Sequence, residues 1–123
     1  MIDNVYGNPF KGERTTILIR NSLSYNKWLK AHCKSGNNDM GVRYLKPQQD
    51  YDFGFRDNVL GNTLFWCSVS KGPDYRKSTI KFEAYKQDKG EPHGGSYNYL
   101  VKEDGIYHSN FVDFKLKKVY SWN

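Results

Sequence analysis

Apolar side chains recur at every second position along the chain, and short polar stretches carrying Gly, Asn or Pro interrupt them. Such alternation puts successive side chains on opposite faces of a strand. Residues 14–20 set Thr15, Ile17 and Ile19 against Thr16, Leu18 and Arg20, and residues 27–34 set Leu29, Ala31 and Cys33 against Trp28, Lys30 and His32. After a polar loop over residues 36–41, a short run at 42–45 is stopped by Pro47. Tyr51, Phe53 and Phe55 then share a face opposite Asp52, Gly54 and Arg56, and Phe65, Cys67 and Val69 share one within residues 64–70. Ile80, Phe82 and Ala84 alternate with Lys81, Glu83 and Tyr85. Tyr97, Tyr99 and Val101 lead into Asp104-Gly105, a hairpin signal, and residues 106–108 return. Val112, Phe114 and Leu116 alternate with Asp113, Lys115 and Lys117. About seven to eight short strands, each with one apolar and one wet face, predict an all-β antiparallel β-sandwich, with a small barrel as the other closed solution. No linker, repeat or low-complexity block divides the chain. Residues 1–13 read as a partly flexible N-terminal extension and residues 14–123 as one domain.

Composition narrows the class. Eight Leu, five Ile, seven Val and seven Phe in 123 residues make a thin aliphatic core, which ten Tyr and three Trp supplement. Two Ala and four Glu leave little for a helix, which excludes a helical bundle and a large doubly wound enzyme. The strongest apolar stretches, residues 15–19 and 64–69, fall far short of the roughly 18 residues of a spanning helix. The first residues carry no secretory signal. Two readings follow: a cytosolic protein, or the mature part of a secreted one with Met1 added for expression. The net charge of +6 attracts nucleic acid, acidic polysaccharide, anionic membrane or an acidic receptor surface, or simply keeps the protein soluble.

Catalytic chemistry finds little support in the residue pattern. His32 and Cys33 are neighbours on a strand and point to opposite faces, and Cys67 sits in the most hydrophobic strand, where a thiol is inert or half of a disulfide. No cysteine or histidine spacing suits zinc, and the three histidines read as surface residues. Neighbouring carboxylates, such as Asp50 with Asp52, read as wet strand faces rather than a glycosidase pair. No catalytic residue, metal ligand or cofactor is assigned. A basic β scaffold with Trp28, Tyr44, Tyr85 and Tyr107 as stacking platforms describes a binder of single-stranded nucleic acid, and exposed aromatics equally suit a carbohydrate-binding sandwich. Aromatics that cover the sheet and pack on lysine stems are the commoner arrangement. Cys33 and Cys67 permit one intramolecular pairing. An extracellular domain would form it, as a buried cross-strand or inter-sheet bridge, and a cytosolic one would keep both thiols reduced.

Several segments, in order along the chain, resemble the plant self-incompatibility protein S1 family, the S-protein homologues. Leu29-Lys-Ala-His-Cys-Lys-Ser35, with Asn37-Asn-Asp-Met-Gly41, resembles the family's "L-x-V-H-C-K-S … D-D-L-G". Tyr51-Asp-Phe-Gly-Phe-Arg56 resembles its "W-x-F-x-F" strand, and Gly61-Asn-Thr-Leu-Phe-Trp-Cys67 its "G-T-L-F-x-C" segment. Tyr99-Leu-Val-Lys-Glu-Asp-Gly-Ile-Tyr107 resembles "W-x-I-x-x-D-G-I-Y", and Tyr120-Ser-Trp122 the C-terminal aromatic pair. The likeness runs from residue 16 to 122. Many members carry four cysteines, and the last two would fall near Gly94 and Tyr97 here. The joint absence of those two implies that Cys33 bonds Cys67.

The resemblance implies a small secreted protein, made with a signal peptide that this chain lacks. It implies a non-enzymatic extracellular ligand for an unidentified plasma-membrane receptor, acting in cell-cell communication of the pollen–pistil kind, and a monomer. Family recognition is attributed to inter-strand loops. The matching candidates are Asn37, Asn38 and Asp39; Lys71, Asp74 and Arg76; Lys89, Glu91 and His93; and Asp104. Phe53, Phe55, Phe65 and Trp122 are assigned to the scaffold with the two cysteines. The positive charge suits an anionic cell-wall polysaccharide, and no nucleic-acid partner is expected. No Asn-x-Ser/Thr sequon is present.

Overall fold

A computed structural model describes residues 11–58, 63–87, 95–109 and 115–122. Nine strands form two packed sheets: β1 (Lys11–Asn21), β2 (Leu29–Ser35), β3 (Asp39–Leu45), β4 (Asp50–Asn58), β5 (Leu64–Lys71), β6 (Thr79–Lys86), β7 (Gly95–Lys102), β8 (Gly105–Ser109) and β9 (Lys117–Ser121). One sheet has the order β4-β1-β7-β8-β9, and the other β3-β2-β5-β6. The sandwich is all-β, as the alternation predicts. One pairing departs from the antiparallel pattern: β1 lies between β4 and β7, and its contact with β7 is parallel. Strand β1 also begins at Lys11, ahead of the expected domain start. The last strand is displaced, because residues 115–116 are not strand and β9 starts at Lys117; Val112 and Phe114 lie outside the described residues.

The inward faces follow the sequence pattern. Ile17 and Ile19 of β1, Leu29 and Ala31 of β2, Val69 of β5 and Val101 of β7 are all at 0% exposure, each large side chain contributing roughly 1.5–3 kcal/mol by burial. Aromatic rings fill the space between the sheets. Phe53 and Phe55 of β4 stack on Phe65 of β5 at 5.2 and 4.5 Å between ring centres, and Phe82 meets Tyr99 at 5.1 Å. Phe53, Phe55 and Phe65 thus form one ring cluster between the sheets. Trp122 caps one end, donating its indole N–H to the Lys102 carbonyl at 2.8 Å.

Two positions depart from the expected facing. Tyr85 was read as an outward stacking platform but is 4% exposed. A register shift between Phe65 and Trp66 in the β5–β6 ladder turns it inward beside Ala84, where it meets Phe55 and Tyr97. His108, read as a surface histidine, is half-buried against the rings of Tyr97 and Tyr99.

Cys33 and Cys67 are bonded, and they are direct partners on β2 and β5. The bridge is thus cross-strand, within one sheet. Their Cα atoms are 4.1 Å apart, near the ~4.5 Å of a non-hydrogen-bonded antiparallel pair. Beside the bridge the β2–β3 ladder is irregular between His32 and Lys34, and the Tyr51 hydroxyl from the opposite sheet fills the break. It accepts from the Cys33 backbone N–H at 3.3 Å and donates to the Gly41 carbonyl at 2.6 Å. Burial pushes the phenol's pKa up, against the lowering effect of the Cys33 N–H. Tyr51→Phe leaves both backbone groups without this partner. It is expected to cost about 1–2 kcal/mol, read as a lower urea midpoint with an unchanged slope.

Candidate functional site

Strand directions sort the connections into two ends. At one end lie residues 22–28, 46–49, 72–78, the 103–104 turn and Trp122; the other carries the 36–38 turn. The first end is tied together by side chains. Asn21, at 0% exposure, donates from its amide to the Lys27 and Leu45 carbonyls at 2.9 and 3.0 Å and accepts from the Leu23 N–H at 3.0 Å. Glu103 accepts from the Ser24 N–H at 2.9 Å and from Lys27 Nζ at 3.0 Å. Lys71 Nζ donates to the Glu103 carbonyl at 3.1 Å and sits 4.6 Å over the Trp122 ring.

Burial alone would raise the Glu103 pKa, but the Lys27 and Ser24 hydrogen bonds and the Lys27 and Lys71 charges outweigh it and hold the carboxyl below its usual range. A carboxyl lowered on folding stabilises the protein fully above its unfolded pKa, and that contribution disappears as pH falls through the folded value. Glu103→Gln is therefore expected to flatten the acid limb of a melting-temperature profile. Thermal scans between about pH 6 and about pH 3 check this, and an acid limb parallel to the parent's would count against it.

The candidate loop residues do not form one surface. Lys71, Asp74, Arg76 and Asp104 belong to the tied end, and Asn37, Asn38 and Asp39 to the other; Lys89, Glu91 and His93 lie outside the described residues. Two of the candidates are not loop residues. Lys71 closes β5 and is engaged with Glu103 and Trp122. Asp39 opens β3, because that strand starts earlier than the Asn-rich sequence indicated, and its carboxylate takes the Gly41 N–H at 2.9 Å and His32 Nε2 at 2.7 Å. The Gly41 bond and then His32 hold its pKa down. Asp104 accepts from the Tyr107 hydroxyl at 2.8 Å, which lowers its own pKa. Next to it Gly105 cannot be replaced: at φ +153 an added Cβ would run into the Tyr120 carbonyl. Asp74 caps its own turn through the Arg76 N–H at 3.1 Å, leaving the Arg76 side chain 92% exposed.

Asn37 and Asn38 remain exposed, and they rim a recess of about 400 Å³ floored by Phe55 and Phe65 and edged by Arg56 and Trp66. A second groove, of about 260 Å³, crosses the outer face of the four-stranded sheet between His32, Lys34, Trp66, Ser68 and Lys81. Sequence reading missed it, since its residues come from three strands that are far apart along the chain. Among the described residues no group of three His, Cys, Asp or Glu is placed to hold a metal ion, and no helix is long and apolar enough to cross a membrane.

Comparison with known proteins places this geometry. The pattern defining "Plant self-incompatibility protein S1" matches residues 16–122. The chain is similar to S-protein homolog 21 of Arabidopsis thaliana, 43% identical over 114 residues that cover 87% of this chain and 78% of that protein. S-protein homolog 11 of Arabidopsis thaliana is 37% identical over 115 residues, covering 90% and 78% respectively. A solved structure from a group described as SPH (Self-Incompatibility Protein Homologue) proteins, "a widespread family of small, highly stable, secreted proteins from plants", superposes with a TM-score of 0.73. It is 26% identical and covers 91% of this chain and 96% of that one.

Proposed function

The chain belongs to the plant self-incompatibility protein S1 family, and from that premise we propose that it is a secreted, non-enzymatic ligand recognised by a cell-surface receptor. The observation that carries this reading is the recess beside the 36–38 turn. Asn37 and Asn38 present amide donors and acceptors, Arg56 adds a cation, and Phe55 and Phe65 give the floor apolar area. A partner's side chain seated there would combine an apolar anchor with polar orientation, the usual composition of a small recognition site. The opposite end, held by Asn21 and Glu103, acts as a brace, so that Arg76 and Asp74 are secondary contacts at most.

The test is binding of labelled protein to wall-free plant cells. A saturable signal displaced by unlabelled parent, but not by an Asn37→Ala/Asn38→Ala/Arg56→Ala variant of unchanged melting temperature, supports the reading. Truncating groups at such a recess is expected to weaken binding about tenfold or more. Unsaturable adsorption, or full displacement by the triple variant, would overturn it.

A further inference from the structure

We infer that the outer face of the β3-β2-β5-β6 sheet is a binding surface for a carboxylated polysaccharide, a uronate polymer, with the groove around Trp66 as its central subsite. The pairing register lays out the face as a lattice. His32 lies opposite Val42 and Ser68, and Ser68 opposite Lys81; Lys34 lies opposite Asp39 and Trp66, and Trp66 opposite Glu83. Lys30 and Lys34 are two side-chain repeats apart on β2, about 13 Å, and Lys81 stands two strands away from β2, about 10 Å. Cations therefore cover a patch suited to an extended polyanion rather than to one small ion.

The chemistry of the groove argues for a charged sugar. Its walls are the Trp66 indole, the Lys34 and Lys81 ammonium groups, the His32 ring and the Ser68 hydroxyl, with no carboxylate among the lining residues. Among the described residues neither Lys34 nor Lys81 is held in an ion pair, whereas on the other sheet's outer face Arg20 is clamped to Asp50 by two bonds of 2.7 and 3.1 Å. Trp66 is 43% exposed and Tyr44 50%, on the water side of a sheet whose other face is the core. An indole face takes the apolar side of a pyranose ring, and flanking ammonium groups take its carboxylate.

Two acids lie on or beside this face. Asp39 is occupied by His32 and the Gly41 N–H. Glu83, opposite Trp66 in register, can accept a hydroxyl donated by a sugar; it repels a uronate carboxylate as it does a phosphodiester, which directs the carboxylates toward Lys34 and Lys81. Single-stranded DNA, the competing polyanion, offers no such hydroxyl along its backbone and needs successive aromatic platforms; the groove holds one. The inference does not depend on the receptor reading, which concerns the adjoining recess, shares only Trp66 with this groove and is tested on cells without walls.

Binding is measured by tryptophan fluorescence with de-esterified oligogalacturonate, its methyl-esterified form, and a single-stranded DNA oligonucleotide, all at one salt concentration. The de-esterified oligomer is expected to change the emission, and Trp66→Phe to remove most of that change. Lys34→Gln/Lys81→Gln is expected to weaken binding about tenfold, the loss of two charge-assisted contacts partly screened by water. Lys117→Gln, on the other sheet, should leave affinity within about twofold. Equal binding of the methyl-esterified form, no weakening in the double lysine variant, or tighter binding of the oligonucleotide would each overturn the inference.

Discussion

Replacing Cys33 and Cys67 together by alanine is expected to lower the melting temperature by about 15 °C. The bridge closes a loop across a sequence separation of 34, and constraining a loop of that length in the unfolded chain stabilises the fold by about 3–4 kcal/mol in the chain-entropy model. For a protein of this size each kcal/mol corresponds to about 4 °C. The bridge also lies in the core, at 0% and 2% exposure, so its removal leaves a void between β2 and β5, next to the β2–β3 break that the Tyr51 hydroxyl fills. Heating the parent with and without reductant, beside the double variant, checks this. Reduced parent and variant should melt close together, and a shift below about 3 °C would mean that the ladder alone carries the sheet.

Asn21→Ala is the second large effect, expected to cost about 3 kcal/mol or about 12 °C. The buried amide satisfies three backbone groups belonging to residues 23, 27 and 45, and truncation leaves the buried Leu23 N–H and Leu45 carbonyl and the half-buried Lys27 carbonyl without this partner. Asn21→Asp separates hydrogen bonding from volume. It preserves shape and the acceptor for the Leu23 N–H, yet turns an anion toward the Lys27 and Leu45 carbonyls. It is expected to be at least as damaging as alanine, with the deficit growing as the carboxyl ionises. An aspartate variant as stable as the parent would show that the amide donors are dispensable.

Much of the sandwich was legible because one face of each strand meets water and the other meets the core. Ile17 and Ile19, Leu29 with Ala31 and Cys33, and Phe65 with Cys67 and Val69 all face as their alternation requires. What escaped was whatever breaks strict alternation or joins distant strands. The register shift that buries Tyr85 adds one residue to a ladder, and period-two reading then assigns the wrong face. Asn37, Asn38 and Asp39 read alike as turn formers, although Asp39 is drawn into β3 by bonds to His32 and Gly41. Asn21 lies just past the alternating run of residues 14–20, and nothing local in the sequence distinguishes a solvated amide from one that organises three segments. The Trp66 groove was hidden for a similar reason: Lys34, Trp66 and Lys81 become neighbours only through pairing of β2 with β5 and β5 with β6.

The parallel pairing of β1 with β7 bears on the order in which the chain can fold. Thr16 of β1 bonds the Ser96 hydroxyl, 80 residues further on, and β1 is an inner strand between β4 and β7, so that sheet has no complete hydrogen-bonded form until β7 is available. The other sheet pairs β2, β3, β5 and β6 within a continuous stretch that ends at Lys86. Contacts of long sequence separation form late, after their loop-closure entropy has been met. A chain emerging N-terminus first from a narrow channel would thus acquire the disulfide-bearing sheet early and, with β4 on one edge of its first strand, hold the other edge open until nearly four-fifths of its length is through. The architecture postpones commitment: the molecule stays threadable for most of its passage and locks only near the end.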